Sequence, residues 1–177
     1  MPRHLISDKT WRAAFFLLTC FWHIPPGVAD SLDFSSDDTV TVTAERAWEG
    51  DEANVIHLSG NFELRGPDWC LSGDSAVVYG KLDDPDRVVV EGKPATIAFL
   101  RSEEESATPD TRDRVDGTAL FVEYFRSTDK LTMRGGANLI RKDSTLVSEM
   151  IEYDVDTDRY SAGGEGGINI QFTTDDD

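Results

Sequence analysis

A hairpin-sized pattern recurs along this chain and constrains its fold more than any other feature. Each copy reads as an apolar residue, a spacer, an aromatic, an acidic turn, then a basic residue with apolar residues at +1 and +3 and glycine at +5. The first copy is Val77-x-Tyr79, a turn over Gly80 to Asp86, then Arg87, Val88, Val90 and Gly92. The second is Val122-x-Tyr124, a turn over Arg126 to Asp129, then Lys130, Leu131, Met133 and Gly135. The third is Ile151-x-Tyr153, a turn over Asp154 to Asp158, then Arg159, Tyr160, Ala162 and Gly164. A worn copy precedes them, with Trp48 in the aromatic place, Gly50 to Asn54 as the turn, and Ile56, Leu58 and Gly60 closing it. Strand side chains alternate faces, so a spacing of two puts these apolar groups on one side of a sheet. Any antiparallel sheet alternates, but copies that share aromatic, acid, base and glycine in order argue for more: a wall of similar rungs whose apolar face must be covered or filled.

The N-terminus reads as a leader. Arg3, Lys9 and Arg12 make a basic start, interrupted by Asp8, and Ala13 to Ile24 is an apolar run stopped by Pro25-Pro26. Gly27-Val28-Ala29 supplies the small residues that a signal peptidase reads. The run falls short of the ~20 apolar residues that span a bilayer. Residues 1–29 are therefore expected to be a cleaved secretory signal; cleavage at Cys20 as a lipoprotein is the lesser alternative, because Thr19 is a poor match to the small residue such a site carries. The whole chain has 17 Lys and Arg against 34 Asp and Glu. Without the leader 14 bases face 33 acids, a net −19. Such a surface repels nucleic acid and anionic membranes, so no nucleic-acid partner is expected.

From Asp30 to Phe172 one domain is expected. No stretch has a helical period. Strand signals follow at short intervals over Thr39–Ala44, Val55–Leu58, Asn61–Arg65, Trp69–Leu71, Ala76–Tyr79, Arg87–Glu91, Ala95–Leu100, Ala119–Phe125, Lys130–Met133, Asn138–Lys142, Thr145–Ile151, Arg159–Ala162 and Gly167–Phe172. They are rich in β-branched and aromatic residues, with Gly, Asp and Pro between, which predicts an all-β sandwich, roll or solenoid. Ser102 to Arg114 is acidic and poor in large apolar groups, and is expected to be a solvated loop; Thr173 to Asp177 reads as an acidic tail.

Catalytic chemistry finds no footing. The acids cluster in turns, as at Asp83-Asp84 and at Asp154, Asp156 and Asp158, where carboxylates are solvated and accept local backbone hydrogen bonds. They do not form the paired environments of a glycosidase, and their spacing lacks a full calcium-liganding loop. The one histidine of the mature chain, His57, sits between Ile56 and Leu58 as an outward strand residue with no nucleophile elbow in sight. With Cys70 alone in the mature chain, no disulfide can form, and Cys70 with His57 makes no metal site. The glycines over Ala162 to Gly167 lead into no helix and predict a turn or bulge. The expectation is a protein with no catalytic residues, no cofactor and no metal.

Gly92-Lys93-Pro94-Ala95-Thr96-Ile97, the rung Asn54 to Leu64 with Gly60-Asn61 at its centre, and Tyr153-Asp154 with the later Ala162-Gly163-Gly164 together resemble the LptA (OstA-like) family of periplasmic lipopolysaccharide-export proteins. The similarity runs from about Thr39 to Phe172; no single motif is specific, and the order of the rungs carries it. The resemblance implies a single, open-ended, twisted β-jelly roll with an apolar groove along its length. It implies a periplasmic carrier that binds lipopolysaccharide by the acyl chains of lipid A and joins end to end, between an inner-membrane-anchored relative of the same fold and the outer-membrane translocon. The chain departs from the family in its long acidic loop, its short C-terminus and its acidity. Because lipid A carries phosphates, that acidity predicts affinity from apolar burial, with the headgroup left outside.

The inward rung positions, expected to line the groove, are Val40, Val42, Ile56, Leu58, Phe62, Leu64, Trp69, Leu71, Val77, Tyr79, Ile97, Phe99, Val122, Tyr124, Leu131, Met133, Ile151 and Tyr153. The blander reading of each is a core residue. Terminal β-rich segments with Thr as their polar residue lack the usual blunting of sheet edges. Val40 and Val42 at one end and Ile168, Ile170 and Phe172 at the other are thus expected to pair head to tail, weakly, since acids flank both ends. The alternatives are a secreted scaffold or glycan-binding module, with Trp48 and Phe125 as its exposed aromatics, and the membrane-anchored sister component, which would keep its N-terminus.

Overall fold

The computed structural model describes residues 39–101 and 113–173. The expected leader, residues 102–112 of the acidic loop and the tail from 174 lie outside them. Asp113 and Arg114 do not belong to a loop: they open a strand and pair with Arg101 and Leu100.

Among the described residues nine strands form one antiparallel sheet: β1 Thr41–Thr43, β2 Arg46–Glu49, β3 Val55–Arg65, β4 Trp69–Lys81, β5 Asp84–Arg101, β6 Asp113–Phe125, β7 Lys130–Arg141, β8 Ser144–Asp154 and β9 Arg159–Phe172. From β3 onward the sheet order is the chain order, while β1 and β2 both pair with β3. The pairs of short strands expected from the sequence are fused into single long ones. What separates them is a shift of register: between Ser59 and Phe62 in β3, Ser72 and Ser75 in β4, Glu91 and Ala95 in β5, Thr118 and Phe121 in β6, Arg134 and Ala137 in β7, and Ser148 and Met150 in β8. A bulge bends a strand and raises its twist. A stack of bulges at mid-strand folds the sheet over on itself, so each long strand serves two walls of an open jelly roll. β2 had no counterpart among the expected strands, because Arg46 and Glu49 hide its alternation.

The registers define rows of inward side chains that cross the whole sheet. In the first wall one row runs Ile56, Val78, Val88, Tyr124, Leu131, Tyr153, Tyr160, and the next runs Leu58, Ala76, Val90, Val122, Met133, Ile151, Ala162. In the second wall a row runs Val42, Leu64, Leu71, Ile97, Gly117, Leu139, Leu146, Ile170. The walls meet. Phe99 packs on Tyr153 with ring centroids 5.9 Å apart, and a Cβ at Gly117 would lie 2.6 Å from the Met133 sulfur. Their buried side chains make one cluster, at roughly 25 cal/mol for each Å² of apolar surface removed from water.

Val77 and Tyr79 are corrections. The inward residues of that part of β4 are Ala76 and Val78, while Val77 faces outward between His57 and Val89 and Tyr79 between Val55 and Arg87. The cause is local. The β4–β5 turn pairs Lys81 with Asp84 and Gly80 with Pro85, and an extra shift between Tyr79 and Gly80 reverses the phase of everything before it. Gly80 makes this possible with φ of +97°, and a side chain there would strike the Asp86 amide.

Candidate functional site

The inward rows are closed in the middle and open at the ends. Val88, Val90, Val122, Tyr124, Met133, Ile151 and Tyr153 are fully buried. At the β9 end Tyr160 is 37% exposed, Ile168 53%, Ile170 43% and Phe172 70%, although Ile168 and Ile170 lie in register with buried Ser148 and Leu146. At the β1 end Val40, Val42 and Ile56 are half-buried against the core. The structure therefore places Leu58, Phe62, Leu64, Trp69, Leu71, Ile97, Phe99, Val122, Tyr124, Leu131, Met133, Ile151 and Tyr153 in the closed interior. Val40, Val42 and Ile56 stand at one mouth, and Val77 and Tyr79 are outside. Val40 precedes β1 rather than belonging to it.

Two inward tyrosines are built alike. Tyr124 donates its hydroxyl hydrogen bond to Asp129 at 2.5 Å, and Tyr153 donates to Asp158 at 2.6 Å. Each aspartate ends its turn in the left-handed region, with φ of 46° and 55°, a conformation that Asp tolerates better than most residues. The acidic turn of the repeat thus supplies the acceptor that lets a tyrosine hydroxyl be buried. The first copy lacks this bond because Tyr79 points outward; there Arg87 lies over the Tyr79 ring at 4.7 Å and the Phe125 ring at 5.3 Å.

Charge is concentrated at two places that sequence reasoning missed. On the outer face Glu123 is 3% exposed and bonds both Arg87 and Arg134. On the inner face the Asp158 carboxylate accepts from Arg141 at 2.8 Å and lies 3.3 Å from Arg101 Nη1. Burial pulls the Asp158 carboxyl up, but the hydrogen bonds from Tyr153 and Arg141 and the Arg101 and Arg141 charges hold it below its usual range. Burial, with the carboxylate beside it, pushes the Tyr153 hydroxyl up to about 12. The Tyr-x4-Asp spacing of the second and third copies was the available signal for these hydroxyl bonds; nothing in the local sequence points to Arg101 and Arg141.

The remaining candidates are peripheral. His57 stacks face to face on exposed Trp48, centroids 5.3 Å apart, and Phe125 is half-buried under Arg87. The Cys70 thiol is pushed up by burial, away from reactivity. Among the described residues no three His, Cys, Asp or Glu side chains are grouped to hold a metal, and no helix is long and apolar enough to cross a membrane.

No curated protein sequence matches the chain. Among solved structures, LptH of Pseudomonas aeruginosa, described as the LptA-homologous periplasmic component of the lipopolysaccharide transport device, superposes with a TM-score of 0.65 at 19% identity, over 77% of this chain and 96% of that one. The profile described as LptA/(LptD N-terminal domain) LPS transport protein matches residues 41–159. That span holds eight of the nine strands and begins the ninth, and on it the chain belongs to the LptA/LptD N-terminal-domain family of lipopolysaccharide transport proteins.

Proposed function

We propose that this protein is a periplasmic carrier that takes the acyl chains of lipid A along its inward rows, and that it bridges the inner-membrane-anchored and outer-membrane components of lipopolysaccharide export. The observation that carries the reading is the way two of the three rows run from fully buried rungs at mid-sheet to exposed ones at β9, at Tyr160 and Ile170. An apolar track that ends in Tyr160, Ile168, Ile170 and Phe172 leaves surface that a soluble protein covers with a partner or a ligand. Family membership supplies the ligand class. Each methylene moved from water onto such a track is worth ~0.8 kcal/mol, so acyl chains bind well without a headgroup contact. The acidic exterior keeps the phosphates outside and limits adhesion to anionic bilayers.

Photo-crosslinking tests this in cells that make lipopolysaccharide. A photoreactive residue at Ile56 or Ile170 is expected to give lipopolysaccharide adducts, and one at outward Val89 none. Equal labelling at all three positions, or none at any, would remove the carrier reading.

A further inference from the structure

The turns at the two ends of the strands form two rows. Those of the first wall hold residues 82–83, 126–129 and 155–158, and those of the second hold 66–68 and 142–143, together with the open ends of β5 and β6. Neighbours within a row are tied by backbone: Val155 donates to the Asp129 carbonyl and Leu100 to the Asp68 carbonyl, each in its own row. Ion pairs such as Arg134–Glu123, Arg114–Asp116 and Lys142–Asp113 likewise join residues of one wall.

At Asp158 the bonds run between walls. Arg101 ends β5 and Arg141 ends β7, both on the inward side of the second wall, and both reach the β8–β9 turn of the first. Arg101 Nη1 donates to the Val155 carbonyl at 3.1 Å and lies 3.3 Å from the Asp158 carboxylate. Arg141 Nη1 donates to that carboxylate and to the Asp158 carbonyl, each at 2.8 Å, with its guanidinium 5.3 Å from the Tyr160 ring centroid. One carboxylate thereby clips both strand ends across the seam, directly over buried Tyr153.

On the far side of the same half of the roll β7 and β9 cross between walls through glycines. β7 passes between walls through Gly135 and Gly136, with φ of +83° and +67°, and β9 through the stretch Gly163 to Gly167. At Gly136, Gly163, Gly166 and Gly167 an added Cβ would meet nothing within 4 Å, whereas one at Gly135 or Gly164 would strike Leu120 or Glu149, and the Ser148 hydroxyl lies within hydrogen-bond reach of the Gly163 and Gly167 carbonyls.

We propose that Asp158 is the latch of a side entrance: its bonds to Arg101 and Arg141 hold the two walls together over the apolar rows, and their release, with bending at the glycine crossings, admits an acyl chain through the seam rather than from an end. This rests on the carrier reading. Asp158 acts as a positioning residue and need not touch the cargo.

The test separates the two claims. In a Cys70→Ser background, cysteines replacing exposed Asp143 and Asp156 report the seam by spin-label distance without lipid. Asp158→Asn is expected to shift the distribution to longer, broader distances; if its circular dichroism shows misfolding, Arg101→Gln takes its place. Unchanged distances in the folded variant overturn the latch, whatever the cargo does. Joining the same two cysteines with a flexible bismaleimide is expected to slow uptake of the apolar fluorophore diphenylhexatriene several-fold, and Asp158→Asn to speed it. Uptake at the parental rate through a cross-linked seam overturns side entry. No uptake by the parent contradicts the carrier reading instead, and the distance measurement still decides the latch.

Discussion

A buried tyrosine hydroxyl bonded to a carboxylate is a titration signature. The Tyr153 hydroxyl, pushed up to about 12 by burial and then by Asp158, stays neutral where an exposed phenol near 10 has ionised. Because the folded value is raised, the stability linked to it is complete below pH ~10 and is lost as pH rises through about 12. The ultraviolet difference spectrum between the parent and Tyr153→Phe is expected to show one tyrosinate appearing near the upper figure. A midpoint at the exposed value would mean that the hydroxyl is not held as described.

At the level of the strand, the phase reversal before Gly80 makes a comparison between adjacent residues. Val78 is 1% exposed and pairs with Val88 in the core, whereas Val77 lies on the outer face. Val78→Ala is expected to cost ~2 kcal/mol through lost methyl burial and the space left behind, and Val77→Ala less than ~1 kcal/mol, read as a shift in denaturant midpoint. Equal losses would restore the face assigned from sequence. The same element shows what was legible in the chain. Period-two spacing located most strands, and Tyr124, Leu131, Met133, Ile151 and Tyr153 all face inward as expected. At Gly73, Gly92 and Gly135 the glycine marks a bulge within one strand rather than the gap between two, since both leave the same local signature. The turn after Tyr79 has two residues more than the turn after Tyr124, and only the pairing shows that a bulge absorbs the difference. The Arg101–Asp158 contact joins residues far apart in sequence, which no local pattern encodes.

For the molecule as a whole the two terminal strands matter: among the described residues β1 and β9 each pair on one side only. Thr173 N donates to the Asp143 carbonyl, and amides alternate direction along a strand, so the Ile170 amide points away from β8 toward the open edge. We infer head-to-tail pairing of that edge with the N-terminal edge of another copy or of a partner of the same fold. Acidic charge on both copies predicts that self-association is weak and strengthens with salt. Ile170→Pro removes an edge donor without breaking the β8 ladder, and is expected to abolish the joint in sedimentation while leaving circular dichroism unchanged; undiminished association would exclude edge pairing.

The sheet order carries one more consequence. Among the described residues each strand from β4 onward pairs only with its neighbours in the chain, so none of them waits for a distant partner to be made. A polypeptide threaded through a membrane pore in an unfolded state, amino end leading, would find at every step that the surface needed by the newest segment has just been completed. Such a ribbon can grow like a zip, one hairpin at a time, with only its latest edge exposed to misassociation during export.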